Sequence, residues 1–165
     1  HLILAEIQRL MYDIFKYAIL CSWDCPIKCT LKRPDLLYEL DTVYILFEVD
    51  ENGHNQSTER VSELRSALYG KPVIMFRINP NLSSRPLLKK IKRNNGESVW
   101  EATKYFDKAF IEFTNIVKNE LTEFCNKDDN LLSYWEIAFN FNNKNIPKDR
   151  GVINHKSYGF KIECN

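Results

Sequence analysis

Apolar and polar residues alternate with a period of two from Asp35 to Leu40 and again from Val43 to Asp50. In the first run Leu36, Tyr38 and Leu40 share one face, and Asp35, Leu37 and Glu39 the other; in the second, Ile45, Phe47 and Val49 oppose Tyr44, Leu46, Glu48 and Asp50. A period of two is the repeat of a half-buried strand. The Asp41-Thr42 break between the runs is short enough for a hairpin. Thr58 to Tyr69 then changes to helical spacing, with Val61, Leu64 and Leu68 inward, Gly70 at the stop and Pro72 beyond it. The apolar run Val73-Ile74-Met75-Phe76 follows as a third strand, closing on Arg77-Ile78-Asn79-Pro80. Strand, helix and strand with short links make a right-handed crossover, so the second and third strands are expected to be parallel.

The flanks are predicted from the same periodicities. Ile3, Ile7, Leu10, Met11, Ile14 and Ala18 mark an amphipathic helix over residues 2 to 20, its stripe widened by Leu4, Phe15 and Ile19. Cys21 to Lys32, broken by Pro26, reads as an irregular link in which Trp23 caps the core. Ser98-x-x-Glu101 has the form of a capping box and is expected to open the longest helix, running to about Cys125. Its stripe runs through Val99, Ala102, Phe106, Ala109, Phe110, Phe113, Ile116, Val117, Leu121 and Phe124, which is core spacing. Tyr134 to Phe141 fits a helix or a strand; its aromatic residues are expected to pack in the core rather than stack on bases. Tyr158 to Cys164 alternates as a last strand, and His155 is expected in a polar surface loop. The pattern predicts an α/β fold, a sheet flanked by helices, in a single domain over 1–165 with a core at 1–80 and an elaboration at 81–165.

Composition sets the bounds. At 165 residues and 44% hydrophobic, the chain can bury a proper core. A net charge of +1 gives no bulk attraction to nucleic acid, so any such surface must be local. Two clusters qualify: Lys28, Lys32 and Arg33, and the denser Lys89, Lys90, Lys92 and Arg93, which follows the third strand and suits phosphate binding. Charges at Glu6, Arg9, Asp13 and Lys16 exclude a membrane span in the first helix. The five cysteines are odd in number, and the spacing of Cys21, Cys25 and Cys29 is not a zinc spacing. Reduced thiols of an intracellular protein, nuclear or cytoplasmic, are expected. A start at His1 is expected of a processed or excised piece.

The candidate chemistry lies between Arg33 and Asn81. Glu48 and Asp50 emerge side by side at the end of an apolar strand, and neighbouring carboxylates repel unless a cation accompanies them. A hard dication such as Mg2+ or Mn2+ takes oxygen ligands, and Asp35 on the preceding strand is placed to join Glu48 and Asp50 as the third. In sheets with such crossovers ligands gather at the carboxyl ends of strands, where Arg77 also falls. His54, with an unperturbed pKa near working pH, is the candidate general base or proton shuttle.

The order Arg33-Pro34-Asp35, Glu48-x-Asp50-x-x-x-His54, Glu59-Arg60, a helix ending at Gly70 and an apolar strand ending at Arg77 resembles the PD-(D/E)xK restriction-endonuclease-like superfamily. It is most similar to the branch containing the very short patch repair endonucleases, and to E-x-D-E-x-x-H proteins of large DNA viruses and protists. The resemblance covers roughly 50 residues. It implies a mixed sheet with an α-β-hairpin-α-β core and a long C-terminal helix. The implied activity is metal-dependent endonucleolytic hydrolysis of phosphodiester bonds, in DNA more than RNA. It matches Asp35, Asp50 and His54 to the motif Asp, the strand-end ligand and the branch histidine. Glu48, Glu59 and Arg77 match accompanying polar positions, and Glu6 the acid that such nucleases often carry on the first helix. Arg77 is then a candidate clamp on phosphate. The chain departs from the superfamily at Asp50, where the motif lysine would stand; the histidine-bearing branch lacks that lysine too. Two alternatives remain beside the endonuclease: a nucleic-acid-binding or assembly module on the same fold without the reaction, and an RNA-directed, cap-snatching-like nuclease.

Overall fold

The computed structural model describes residues 2–15, 20–23, 34–50, 66–68, 70–81, 86–126, 134–139 and 154–159. Helix α1 (Leu2–Ile14) precedes strands β1 (Leu20–Trp23), β2 (Leu36–Glu39), β3 (Tyr44–Val49) and β4 (Val73–Ile78). A ribbon of β5 (Leu88–Lys92) and β6 (Ser98–Ala102) follows, then helix α2 (Phe106–Cys125), β7 (Tyr134–Phe139) and β8 (Asn154–Tyr158). Among the described residues six strands form one sheet, ordered β1-β2-β3-β4-β7-β8, and β5 pairs with β6 alone. The pairs β1/β2 and β2/β3 are antiparallel, whereas β3/β4, β4/β7 and β7/β8 are parallel. The fold is therefore mixed α/β with a mixed sheet.

The two periodicities decide which face each residue covers. Leu36, Tyr38, Ile45 and Phe47 lie in the larger core cluster, with Ile74, Phe76, Ile78, Trp135, Ile137 and Phe139 from the next strands. Helix α1 adds Ile3, Ile7, Leu10 and Met11 to that cluster, and α2 adds Phe106, Ala109, Phe113, Val117, Leu121 and Phe124. The alternate residues Leu37, Tyr44, Leu46, Val73, Met75 and Tyr134 form a second cluster on the opposite face, joined by Leu68 at the end of the β3–β4 connection. Phe113 meets Phe139 edge-on at 4.6 Å, and Phe47 stacks on Phe76 at 5.3 Å. Each such ring, fully buried, contributes about 1.5 to 3 kcal/mol, so the helical face is the main anchor of the sheet. The expected hairpin closes through Leu40 N–H donating to the Val43 carbonyl at 2.9 Å. The expected parallel pairing of β3 with β4 is present in full register from Tyr44↔Val73 to Val49↔Ile78. Gly70 has φ 96°, a backbone conformation that permits the helix stop expected there.

Four expectations are corrected. Helix α1 ends at Ile14, and Leu20–Trp23, read as the last residue of that helix and the start of an irregular link, is a strand on β2. Ser98 to Ala102 is a strand, not the first turn of a helix: it pairs with Leu88–Lys92 across a turn in which Gly96 takes φ 84°. The long helix begins at Phe106, seven residues later than the capping-box pattern implied. His155 lies within β8, opposite Glu136, rather than in a loop. Tyr134–Phe139 takes the strand alternative. No helix among the described residues is long and apolar enough to cross a membrane.

Candidate functional site

Strands β3, β4 and β7 run parallel, so their carboxyl ends lie together at one edge of the sheet. Alternation directs Glu48, Arg77 and Glu136 to the face opposite α1 and α2. Glu48 stands directly across from Arg77 in the β3/β4 register. The backbone pairing extends past the strand end, where Asp50 N–H donates to the Ile78 carbonyl at 2.8 Å and carries the Asp50 side chain to Arg77. Arg77 Nη2 donates to Asp50 Oδ2 at 2.6 Å, and Arg77 Nη1 donates to Glu136 Oε1 at 3.0 Å. The Arg77 and Glu136 side chains are 2% and 0% exposed and that of Asp50 16%, so the solvent-facing end of the triad is Asp50. Buried charges persist only when paired and hydrogen-bonded, and one guanidinium does this for two carboxylates.

Asp35 joins the same edge from β2. Its Oδ2 accepts the Val49 N–H at 2.6 Å, holding the last residue of β3 in place beside Asp50. Beyond β4, Asn79 N–H donates to the Phe139 carbonyl at 3.0 Å, while Asn79 Oδ1 accepts the Asn81 N–H at 3.0 Å. That Asx turn takes the chain sharply off the strand end at Pro80.

The donor chemistry fits a hard cation. Among the described residues Asp50 and Glu136 meet the Arg77 guanidinium, Asp35 binds the end of β3 and Glu48 stands across from Arg77 in the strand register, so every candidate donor is an oxygen. They do not assemble as the expected triad, however. Among the described residues no three His, Cys, Asp or Glu side chains are grouped to hold a metal. The hydrogen bonds account for this: one Asp35 oxygen is committed to a backbone amide, and one Asp50 oxygen to Arg77.

Other predicted residues fall elsewhere. Glu6 lies in an open groove between α1 and α2 with Phe106 and Phe110, paired with Arg9 at 3.2 Å, and the sheet separates it from Asp50. Arg77 is buried among carboxylates instead of standing ready as a phosphate clamp. Lys89, Lys90, Lys92 and Arg93 are exposed on or just beyond β5, in an ordered ribbon rather than a charged loop. His54, Glu59, Lys32 and Arg33 lie outside the described residues, as do Cys25 and Cys29. Glu136 was missed by sequence reading. Its signal was an isolated acid in the otherwise apolar run Tyr-Trp-Glu-Ile-Ala-Phe, which as a strand directs that acid into the sheet.

No family model, curated protein or solved structure matches the chain.

Proposed function

We propose that the protein is a metal-dependent endonuclease acting on nucleic acid, DNA more than RNA, on a restriction-endonuclease-like scaffold. One observation carries this reading: Asp50 at the end of β3 and Glu136 on β7 meet Arg77 at the carboxyl edge of three parallel strands, where Asp35 binds the last residue of β3. The antiparallel β2–β3 hairpin followed by the parallel β3–β4 pair supports the reading.

Asp50, the most exposed member of the triad, and Glu48 beside it would hold Mg2+ or Mn2+, with Asp35 bordering them. The chemistry a bound dication supplies is activation of water and screening of phosphoryl charge. The chain does the positioning. Glu136 fixes Arg77, Arg77 orients the Asp50 carboxylate, and Asp35 pins the end of β3. Arg77 is thus a positioning residue. His54, four residues beyond Asp50, is the proton acceptor in this reading, with Glu59 to orient it.

The test is cleavage of plasmid, single-stranded DNA and RNA with Mg2+ or Mn2+, with and without chelator. Chelator-sensitive cutting is expected, lost in Asp50→Asn and reduced in Glu48→Gln while thermal melting stays within a few degrees. Undiminished cutting by Asp50→Asn defeats the assignment, and a preference for RNA selects the RNA-directed alternative. A second reading, a binding module without the reaction, is favoured by the cation that Arg77 already provides to Asp50 and Glu136. Nucleic-acid binding with no chelator-sensitive cuts selects it.

A further inference from the structure

We infer that the β5–β6 ribbon is a binding arm for single-stranded nucleic acid, with Trp100 as a base-stacking platform and Lys90 and Lys92 as phosphate contacts. The inference rests on the proposed nucleic-acid reading and names the surface that delivers the strand.

Register fixes the arrangement. Lys90 pairs with Trp100 and Lys92 with Ser98, so Lys90, Lys92 and Trp100 share one face of the ribbon, and Lys89, Glu101, Ile91 and Val99 share the other. Lys90 and Lys92 are exposed, and Trp100 is 41% exposed although tryptophan is the largest apolar side chain. The Trp100 face carries no acid at its paired positions. The basic charge is concentrated here as well. Residues 88–104 hold five Lys or Arg and two Glu, net +3, leaving 18 Lys or Arg against 20 Asp or Glu, net −2, in the rest of the chain. A polyanion is therefore drawn to the ribbon in preference to the body.

The base of the ribbon is fixed and its position is informative. Leu87 and Leu88 are buried in the main core, Leu87 N–H donates to the Pro80 carbonyl at 2.7 Å, and Thr103 N–H donates to the Leu87 carbonyl at 2.9 Å. Pro80 lies three residues beyond Arg77, so the ribbon springs from the same carboxyl edge that bears Asp50. An exposed indole offers its π face to a base only if that base is unstacked, and stacking tolerates any sequence. Lysines spaced two residues apart on one strand, about 7 Å, follow the backbone beside it. This selects an unpaired strand over a duplex, whose bases present only their edges.

The test uses the full chain in chelator, so that binding is read without cutting, with fluorescence anisotropy of labelled oligo-dT and a duplex of equal length. Oligo-dT is expected to bind more tightly than the duplex. Trp100→Ala is expected to weaken oligo-dT binding about tenfold or more, and Trp100→Phe to retain most of it. Lys90→Ala with Lys92→Ala is expected to lower the slope of log affinity against log salt by about 1.4, while Lys118→Ala on α2 leaves it unchanged. Duplex binding as tight as oligo-dT binding, unchanged affinity in Trp100→Ala, or an unchanged salt slope in the lysine double variant overturns the inference. Its failure is distinct from failure of the nuclease reading, which concerns cutting by Asp50 in the presence of metal.

Discussion

Arg77 on β4 and Glu136 on β7 meet at 3.0 Å with side chains 2% and 0% exposed, so each is the other's defence against burial of an uncompensated charge. Removing one member strands the other. Arg77→Met is expected to destabilise the protein by about 3–5 kcal/mol, read from denaturant midpoints. Arg77→Met with Glu136→Leu is expected to recover much of that loss, because a buried pair is often no more stable than apolar residues of similar size. A double variant as unstable as Arg77→Met alone would show that the destabilisation comes from elsewhere, for instance from Asp50.

Two tyrosines resist ionisation. The Tyr38 hydroxyl, 3% exposed in the core, is pushed by burial from 10.0 to about 12. Tyr158 is also pushed up to about 12, by burial first and then by its hydrogen bond to Glu120. A folded-state pKa above the unfolded one contributes stability that is complete below about pH 10 and is lost as pH rises toward 12. Tyrosinate absorbance should therefore show Tyr38 and Tyr158 titrating late, in step with alkaline unfolding. Tyr38→Phe should make stability decline less steeply through that window. An unchanged decline in Tyr38→Phe would exclude Tyr38 as a source of it.

The β2–β3 hairpin and the parallel β3–β4 pair were legible because their alternation places the same residues in two distinct core clusters. The stripe of α2 was legible from Phe106 onward for the same reason. Its start was not: Ser98-x-x-Glu101 matches a capping box locally, but Val99 pairs with Ile91 across a turn containing Asn95-Gly96, and non-local pairing prevails. The Asn-Gly dipeptide was the overlooked hairpin signal. At the candidate site, Glu48, Asp50 and Arg77 were placed together by strand order alone. Glu136 was not, since nothing local tells that β7 will dock against β4 and present its acid to Arg77.

Thr103 joins the ribbon to α2. Its Oγ1 donates to the Pro86 carbonyl at 2.6 Å and accepts the Tyr105 N–H at 3.3 Å. Thr103→Val keeps the shape and removes both bonds, so a loss of about 1 kcal/mol is expected, and Thr103→Ser should restore most of it. Equal stability of Thr103→Val and wild type would mean that the backbone bonds at Leu87 and Phe106 suffice to hold the junction.

The edge strand β8 is tied to α2 by a second polar cluster. Lys156 Nζ lies 3.0 Å from both Glu120 and Glu123, and Tyr158 donates to Glu120, which is 4% exposed. Burial acts against the Lys156 ammonium, but the hydrogen bonds to Glu120 and Glu123 outweigh it and raise its pKa. Lys156 also lies 5.3 Å over the Trp135 ring, so one cation serves the helix and the neighbouring strand together. Lys156→Met keeps the aliphatic stem and removes the charge, leaving Glu120 with Tyr158. The expected loss is about 1.5–3 kcal/mol, the range for hydrogen bonds to charged groups. It should concentrate at the sheet edge: amide exchange should accelerate across residues 154–158 while β3 and β4 keep their protection. Acceleration spread evenly over all strands would show instead that β8 opens only with the whole sheet.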